Sequence, residues 1–161
     1  MDADQTRALR HMLLQQEVAA LGTLHKGEPF VSMVPYALLA DGRCVVHVSR
    51  LATHTRDMEE HAGVSLLVMG ARAADAPAQA QPRATLQGEA RACPPAAPDH
   101  AAARAAYLAR FPESEMMFGF ADFSLFVVAV RSVRFVAGFA QAGSLTGEAY
   151  AALMASPAAR P

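Results

Sequence analysis

The segment Phe30–Leu39 constrains this chain more than any other. Read as a strand, it puts Phe30, Ser32, Val34, Tyr36 and Leu38 on one face, and Val31, Met33, Pro35, Ala37 and Leu39 on the other. Both faces are mostly apolar, which predicts that both are covered. Pro35 has no amide hydrogen, so strand pairing must break there, leaving backbone against which another group can dock. Asp41-Gly42 is a hairpin-turn signal, and Arg43–Val48 then returns antiparallel. This hairpin predicts that the end of the return strand lies beside the strand centred on Ser32.

The remaining elements follow the same β-rich logic. Residues 4–16 carry apolar positions at three- and four-residue steps and read as an amphipathic helix that Asp2 or Asp4 can cap. Val18–His25 and Gly63–Gly70 read as strands, and Ala71–Gln81 as a polar surface loop. Arg83–Cys93 alternates polar with small apolar residues, the pattern of an antiparallel strand with one solvated face. Asp99–Arg110 reads as a helix capped by Asp99. Phe123–Ala137 is long for one strand, so two strands are expected, or one bent at Arg131-Ser132, with Gly138-Phe139-Ala140 as the break after it. A helix over 146–155, capped by Thr146, closes the chain. Hairpin-length turns without βαβ alternation predict one domain over 1–161, mainly β with flanking helices: an antiparallel barrel over about 18–142.

Composition narrows the function classes. The 161 residues are 53% hydrophobic and 18% charged with net charge −1, so there is no basic footprint for nucleic acid. No stretch reaches the roughly 20 apolar residues of a bilayer span, and the first residues lack a signal-peptide pattern. The apolar surplus points instead to surface buried in an oligomer. Cys44 and Cys93 have no metal-ligand spacing; as buried thiols they suit a cytoplasmic protein.

The chemistry gathers at Ser49–Arg56, where a strand empties into a short helix expected over Asp57–His61. Three hydroxyls, two arginines and a histidine meet there. Such a junction suits an anion, because free amides, the helix dipole and charged donors point the same way. An ordinary Ser or Thr cap is the competing reading. There is no nucleophile elbow, GxGxxG or Walker loop, and no metal-binding cluster. His47 reads as a core or interface histidine, and Met116-Met117-Phe118 as core packing.

Several motifs, taken in order, resemble a known family: Ser32-Met-Val-Pro-Tyr36, Ser49-Arg-Leu-Ala-Thr-His-Thr55, Val64-Ser-Leu-Leu67, Pro82-Arg-Ala-Thr-Leu-Gln-Gly88 and Asp122-Phe-Ser-Leu125. They look like the pyridoxamine 5′-phosphate oxidase-like FMN-binding split-barrel superfamily, and within it the haem-utilisation (HugZ-like) branch, whose Gly-Phe-Ala ending recurs at Gly138-Phe139-Ala140. The resemblance implies a homodimer with FMN at the subunit interface, acting as an oxidoreductase on a small-molecule substrate. It places the FMN phosphate on Ser49, Thr53, His54 and Thr55, the flavin ring on Ser32, Met33, Val34 and Pro35, and a further polar contact on Arg83. Haem binding or degradation is the alternative it implies, and a non-catalytic binding module a third. Two departures stand out. Asp57 replaces the Asn usual in that branch, and a carboxylate there either turns away from a phosphate or weakens flavin binding. The last histidine is His100, whereas the branch's haem-degrading members use a C-terminal one as iron ligand.

Overall fold

In a computed structural model, residues 1–138 and 141–156 are described. Helix α1 (Ala3–Gln15) starts at Asp2, whose carboxylate accepts from the Gln5 amide while the Gln5 side chain returns to the Asp2 amide. This capping box satisfies two amides that a helix start otherwise leaves free. Strands β1 (Val18–His25) and β2 (Glu28–Pro35) form a hairpin, and β3 (Ala37–Leu38) and β4 (Cys44–Ser49) a second one. Helix α2 (Thr53–Glu60), β5 (Gly63–Met69) and β6 (Arg83–Ala92) follow, then α3 (His100–Arg110) and a 3₁₀ segment, Pro112–Gly119. Strands β7 (Phe123–Gly138) and β8 (Gln141–Thr146) and helix α4 (Gly147–Ala155) complete it.

All pairings are antiparallel, in the order β2-β1-β5-β6-β7-β4-β3, with β8 also paired to β7. The sheet curls into a half-barrel with helices around it, a split barrel. Its interior is filled by Leu21, Val46, Leu66, Leu86, Phe126 and Phe135, with Leu9 and Leu13 of α1 and Tyr150 of α4 packed on them. A second core lies outside the barrel, where Ala103 and Tyr107 of α3 cover Val45, Leu125 and Val127. Strand β4 is therefore buried on both faces, one by the barrel interior and one by α3.

The strand β7 runs unbroken for 16 residues, and the expected bend is a bulge. Gln87 pairs with Ser132 and Gly88 with Val130, so Arg131 is the extra residue that bends the strand. Gly88 is required there, because a Cβ at this position would run into the backbone carbonyl of Ala129. At the other critical turn, Gly42 has φ +83° and the Tyr150 hydroxyl donates to its carbonyl at 2.8 Å, which seats α4 on the β3–β4 hairpin.

Several expectations change. The strand over 30–39 divides at Tyr36 and not at Pro35, which still stands opposite Val18; the Tyr36 amide donates to Glu17 O instead of joining the ladder. Its outer face is open in one chain: Val31 is 68% and Met33 65% exposed. The return strand pairs with β3 only at Ala37 and Leu38 and with β7 from Cys44 to Ser49, so its end does not pair beside Ser32. Asp99 makes no cap hydrogen bond; it accepts from both Arg43 Nη atoms, at 2.6 and 3.3 Å. The segment after Gly138 contains β8, with Thr146 capping α4 as expected, while the break at Phe139-Ala140 lies outside the described residues.

Gly88→Ala should lower stability by about 2 kcal/mol, because the bulge must shift to admit the methyl. Gly63→Ala, where the added Cβ meets open space, should change the urea midpoint little. Equal midpoints for the two variants would show that the bulge is not under this constraint.

Candidate functional site

The junction after β4 is tightly hydrogen-bonded. The amide of Ala52 donates to Ser49 O at 3.1 Å, and the hydroxyl of Thr55 donates to the same carbonyl at 2.6 Å. Ser49 Oγ accepts from the Leu51 amide at 3.1 Å and donates to Asp122 Oδ2 at 2.9 Å. Helix α2 starts earlier than expected, at Thr53, and its N-cap is Ala52, which offers no side-chain cap. An uncapped helix start leaves first-turn amides for another acceptor. Thr53 and His54 are half-buried there, with Arg50 and Arg56 exposed beside them. Thr55, by contrast, is fully buried with its hydroxyl engaged.

Asp57 does turn away. It is 1% exposed and lies under β1, where Thr23 Oγ1 donates to Oδ2 and His25 Nδ1 meets Oδ1, both at 2.8 Å. Burial alone would raise this carboxyl's pKa; the His25 and Thr23 hydrogen bonds and the nearby histidines outweigh burial and hold it below the usual carboxylate range. His54 is pushed down by burial, opposed by the Asp57 charge.

The residues expected around a flavin ring divide by strand geometry. Ser32 and Val34 face the barrel interior, with Val34 buried and the Ser32 hydroxyl buried without a partner. Met33 faces outward, and Pro35 is half-buried at the end of β2. Arg83 is remote: it opens β6 opposite Val136, whereas Ser49 pairs with Phe123. Along an extended strand those partners are about 40 Å apart. The guanidinium of Arg83 is held by the carbonyls of Gln79 and Gln81, each at 3.0 Å.

A cavity of about 800 Å³ adjoins the junction, between β4–β7 on one side and α3 with the 3₁₀ segment on the other. Phe118, Phe120, Phe123 and Leu125 supply apolar wall, and Arg50 and Arg104 supply charge, with Glu59 and Glu115 also lining it. Two histidines line it as well. His47 is 7% exposed, stacked on Phe118 at 3.9 Å between ring centres, with its Nδ1 unpartnered. Burial pushes its pKa down to about 4, so it is neutral at pH 7. His100 Nδ1 lies 2.8 Å from Cys93 O. Sequence reasoning treated His47 as a core or interface histidine and Phe118 as core packing, met Asp122 only within a family motif, and assigned no site role to His100. Met116, read as core, is 74% exposed at this rim. Only the tertiary packing of α3 brings these together; no spacing along the chain marks them.

A family model described as pyridoxamine 5′-phosphate oxidase matches residues 5–137. The chain belongs to this family. It is 36% identical over 140 residues to the non-canonical heme oxygenase HOZ, chloroplastic, of Arabidopsis thaliana, covering 84% of this chain and 41% of that protein. It is similar to the structure of a heme binding protein from Mycobacterium smegmatis, with TM-score 0.83 and 35% identity over 94% of this chain and 62% of that one. The chain thus spans less than two thirds of the length of both. HutZ from Vibrio cholerae shares the fold, with TM-score 0.68 and 21% identity over 86% of this chain and 91% of that one. These split-barrel neighbours bear out the fold that the motifs resemble. Among the described residues no helix is long and apolar enough to cross a membrane.

The Asp57 pair carries a pH signature. A carboxyl with a lowered folded pKa stabilises the fold above its unfolded pKa, and that stability is lost as pH falls through the folded value. Asp57→Asn should therefore flatten the acid side of the urea-midpoint profile below about pH 4 relative to the parent, since the usual Asp value lies there. Asp57→Ala should cost about 2–4 kcal/mol at pH 7, by stranding two donors. Parallel acid limbs in parent and Asp57→Asn would remove Asp57 from the acid response.

Proposed function

We propose that this chain is a haem-binding member of its family and works as a homodimer. The cavity beside β4 carries the reading. Haem needs an apolar slot for a flat ring, cations for its carboxylates and a neutral nitrogen near the iron. Phenylalanine walls, Arg50 and Arg104 at the rim, and two histidines in the lining match that donor set. The volume lies within the roughly 300–1,000 Å³ of small-molecule and cofactor sites. Two relatives at 35–36% identity are named for heme, which supports the same reading. Bound haem would supply an iron centre for redox or oxygen chemistry. The protein's part is to exclude water with Phe118, Phe120 and Phe123 and to balance the carboxylates with Arg50.

A flavin reading has its own observation, the uncapped start of α2. A phosphate there would find the first-turn amides, the Thr53 hydroxyl, His54 and the Arg50 guanidinium, with Asp57 turned to β1. Asp122 against Ser49 Oγ opposes an anion at that one atom. In this reading the protein is an FMN-dependent oxidoreductase of a small molecule.

Two features support the dimer. The outward residues Val31 and Met33 of β2 are apolar and exposed, at one end of the strand order. Arg83 and Ser49, expected on one ligand, sit opposite the two ends of β7 within one chain.

Titration with haemin should produce a Soret band saturating near one haem per chain, and adding a reductant in air distinguishes ring opening from simple carriage. An unchanged haemin spectrum would refute the haem reading. FMN titration tests the other: binding that weakens by about 100-fold or more in the Thr53→Ala, His54→Ala double variant supports it, since each of the two charge-assisted bonds is worth about 1.5–3 kcal/mol. Met33→Glu should convert a dimer into a monomer in sedimentation velocity; a parent that sediments as a monomer at micromolar concentration contradicts the dimer.

A further inference from the structure

We propose that His100 holds the haem iron through Nε2, a role that rests on the haem reading above. Nδ1 of His100 lies 2.8 Å from the carbonyl oxygen of Cys93. A carbonyl can only accept, so in the neutral ring Nδ1 carries the proton and Nε2 carries the free lone pair. Tethering one ring nitrogen to a backbone carbonyl is how imidazole ligands are fixed in tautomer and direction. The tether is rigid here. The Cys93 amide donates to Leu125 O at 2.8 Å, which ties the carbonyl's own residue to β7, and the His100 amide donates to Ala97 O at 3.0 Å. The imidazole thus stands half-buried in the cavity wall at the first turn of α3.

The other donors near the cavity are less suited to iron. His47 is pinned face to face on Phe118, the ring planes 10° apart, with Tyr107 against it edge-on. Turning it toward a metal would break that stack. Its unpartnered Nδ1, in a side chain more than nine-tenths buried, is instead an atom that awaits a polar group from a ligand in this cavity. The Cys93 thiol is 4% exposed, and burial raises its pKa, so it stays protonated. Glu115 is paired with Arg104 at 2.6 Å, and no acidic partner is recorded for Arg50 among the described residues. No group of three metal-ligating side chains occurs among the described residues either. An iron on His100 must then take its remaining ligands from elsewhere, and a porphyrin supplies four nitrogens in one plane.

The test compares the full chain with His100→Ala by haemin titration, followed by spectra of the ferric and the ferrous carbon monoxide forms. The variant should bind haemin at least tenfold more weakly with a displaced Soret maximum, and added imidazole should restore the parental spectrum. His100→Gln, which keeps a hydrogen-bonding side chain, should show the same loss, so a folding defect confined to the alanine variant cannot mimic the result. His11→Ala, at an exposed histidine of α1, should leave the spectra unchanged. If both His100 variants keep the parental affinity and Soret position, His100 is not the ligand while the haem reading stands. If the parent itself gives no Soret change, both are overturned.

Discussion

The geometry of this protein depends on one strand, β7, being paired along both edges while it bends. One edge follows β6 from Val136 to Phe126; the other meets β4 first and β8 after the bend. A flat strand of this length would splay its neighbours, whereas twist and the bulge at Arg131 let one strand serve two partners on the same edge. Gly88 is the counterpart of that bend, since only a residue without a side chain lets the β6 and β7 backbones close so tightly. The bend divides the sheet into two working ends. The Phe123 end carries β4, the Ser49 junction and the α3 layer, and the Val136 end carries Arg83.

Which parts of this were legible in the sequence follows from the range of each interaction. The hairpin of β1 and β2, the alternation of β6 and the capping of α4 by Thr146 are local, and their residues announce them. The start of α2 was not legible, because Ala52 is no capping residue and Thr-His-Thr-Arg has no apolar periodicity. Strand β8 was missed for a similar reason: Gln141–Thr146 is small and polar, exposed at alternate positions, and exists as a strand because β7 presents an edge to it. Asp99 looked like a cap and became the partner of Arg43, 56 residues away in sequence. The two-sided apolarity of Phe30–Leu39 was real, but apolarity does not say what covers a face. For Val34 it is the barrel core; Val31 and Met33 are left uncovered by the described residues.

Asp57 shows how a residue that looks hostile to a site can be neutral to it. Its carboxylate is needed under β1, where Thr23 and His25 donate to it, and once there it is one helical turn removed from the first amides of α2. The negative charge is retained but buried against its own partners. The positive charge at the junction, Arg50 and Arg56, is left unbalanced by it.

That leftover charge connects the two candidate ligand sites. Val45, His47 and Ser49 alternate along β4 onto the face covered by α3, so the cavity histidine and the junction serine stand two residues apart on one strand. Arg50 follows directly and lines the cavity while flanking the helix start. A haem carboxylate in the cavity and a flavin phosphate at α2 would therefore draw on the same guanidinium. Occupancy of one site would lower the affinity of the other through that shared charge, because Arg50 can pair fully with only one of two anions. With Arg50 between an uncapped helix start and an aromatic slot, either group alone would find its charge better balanced than both together.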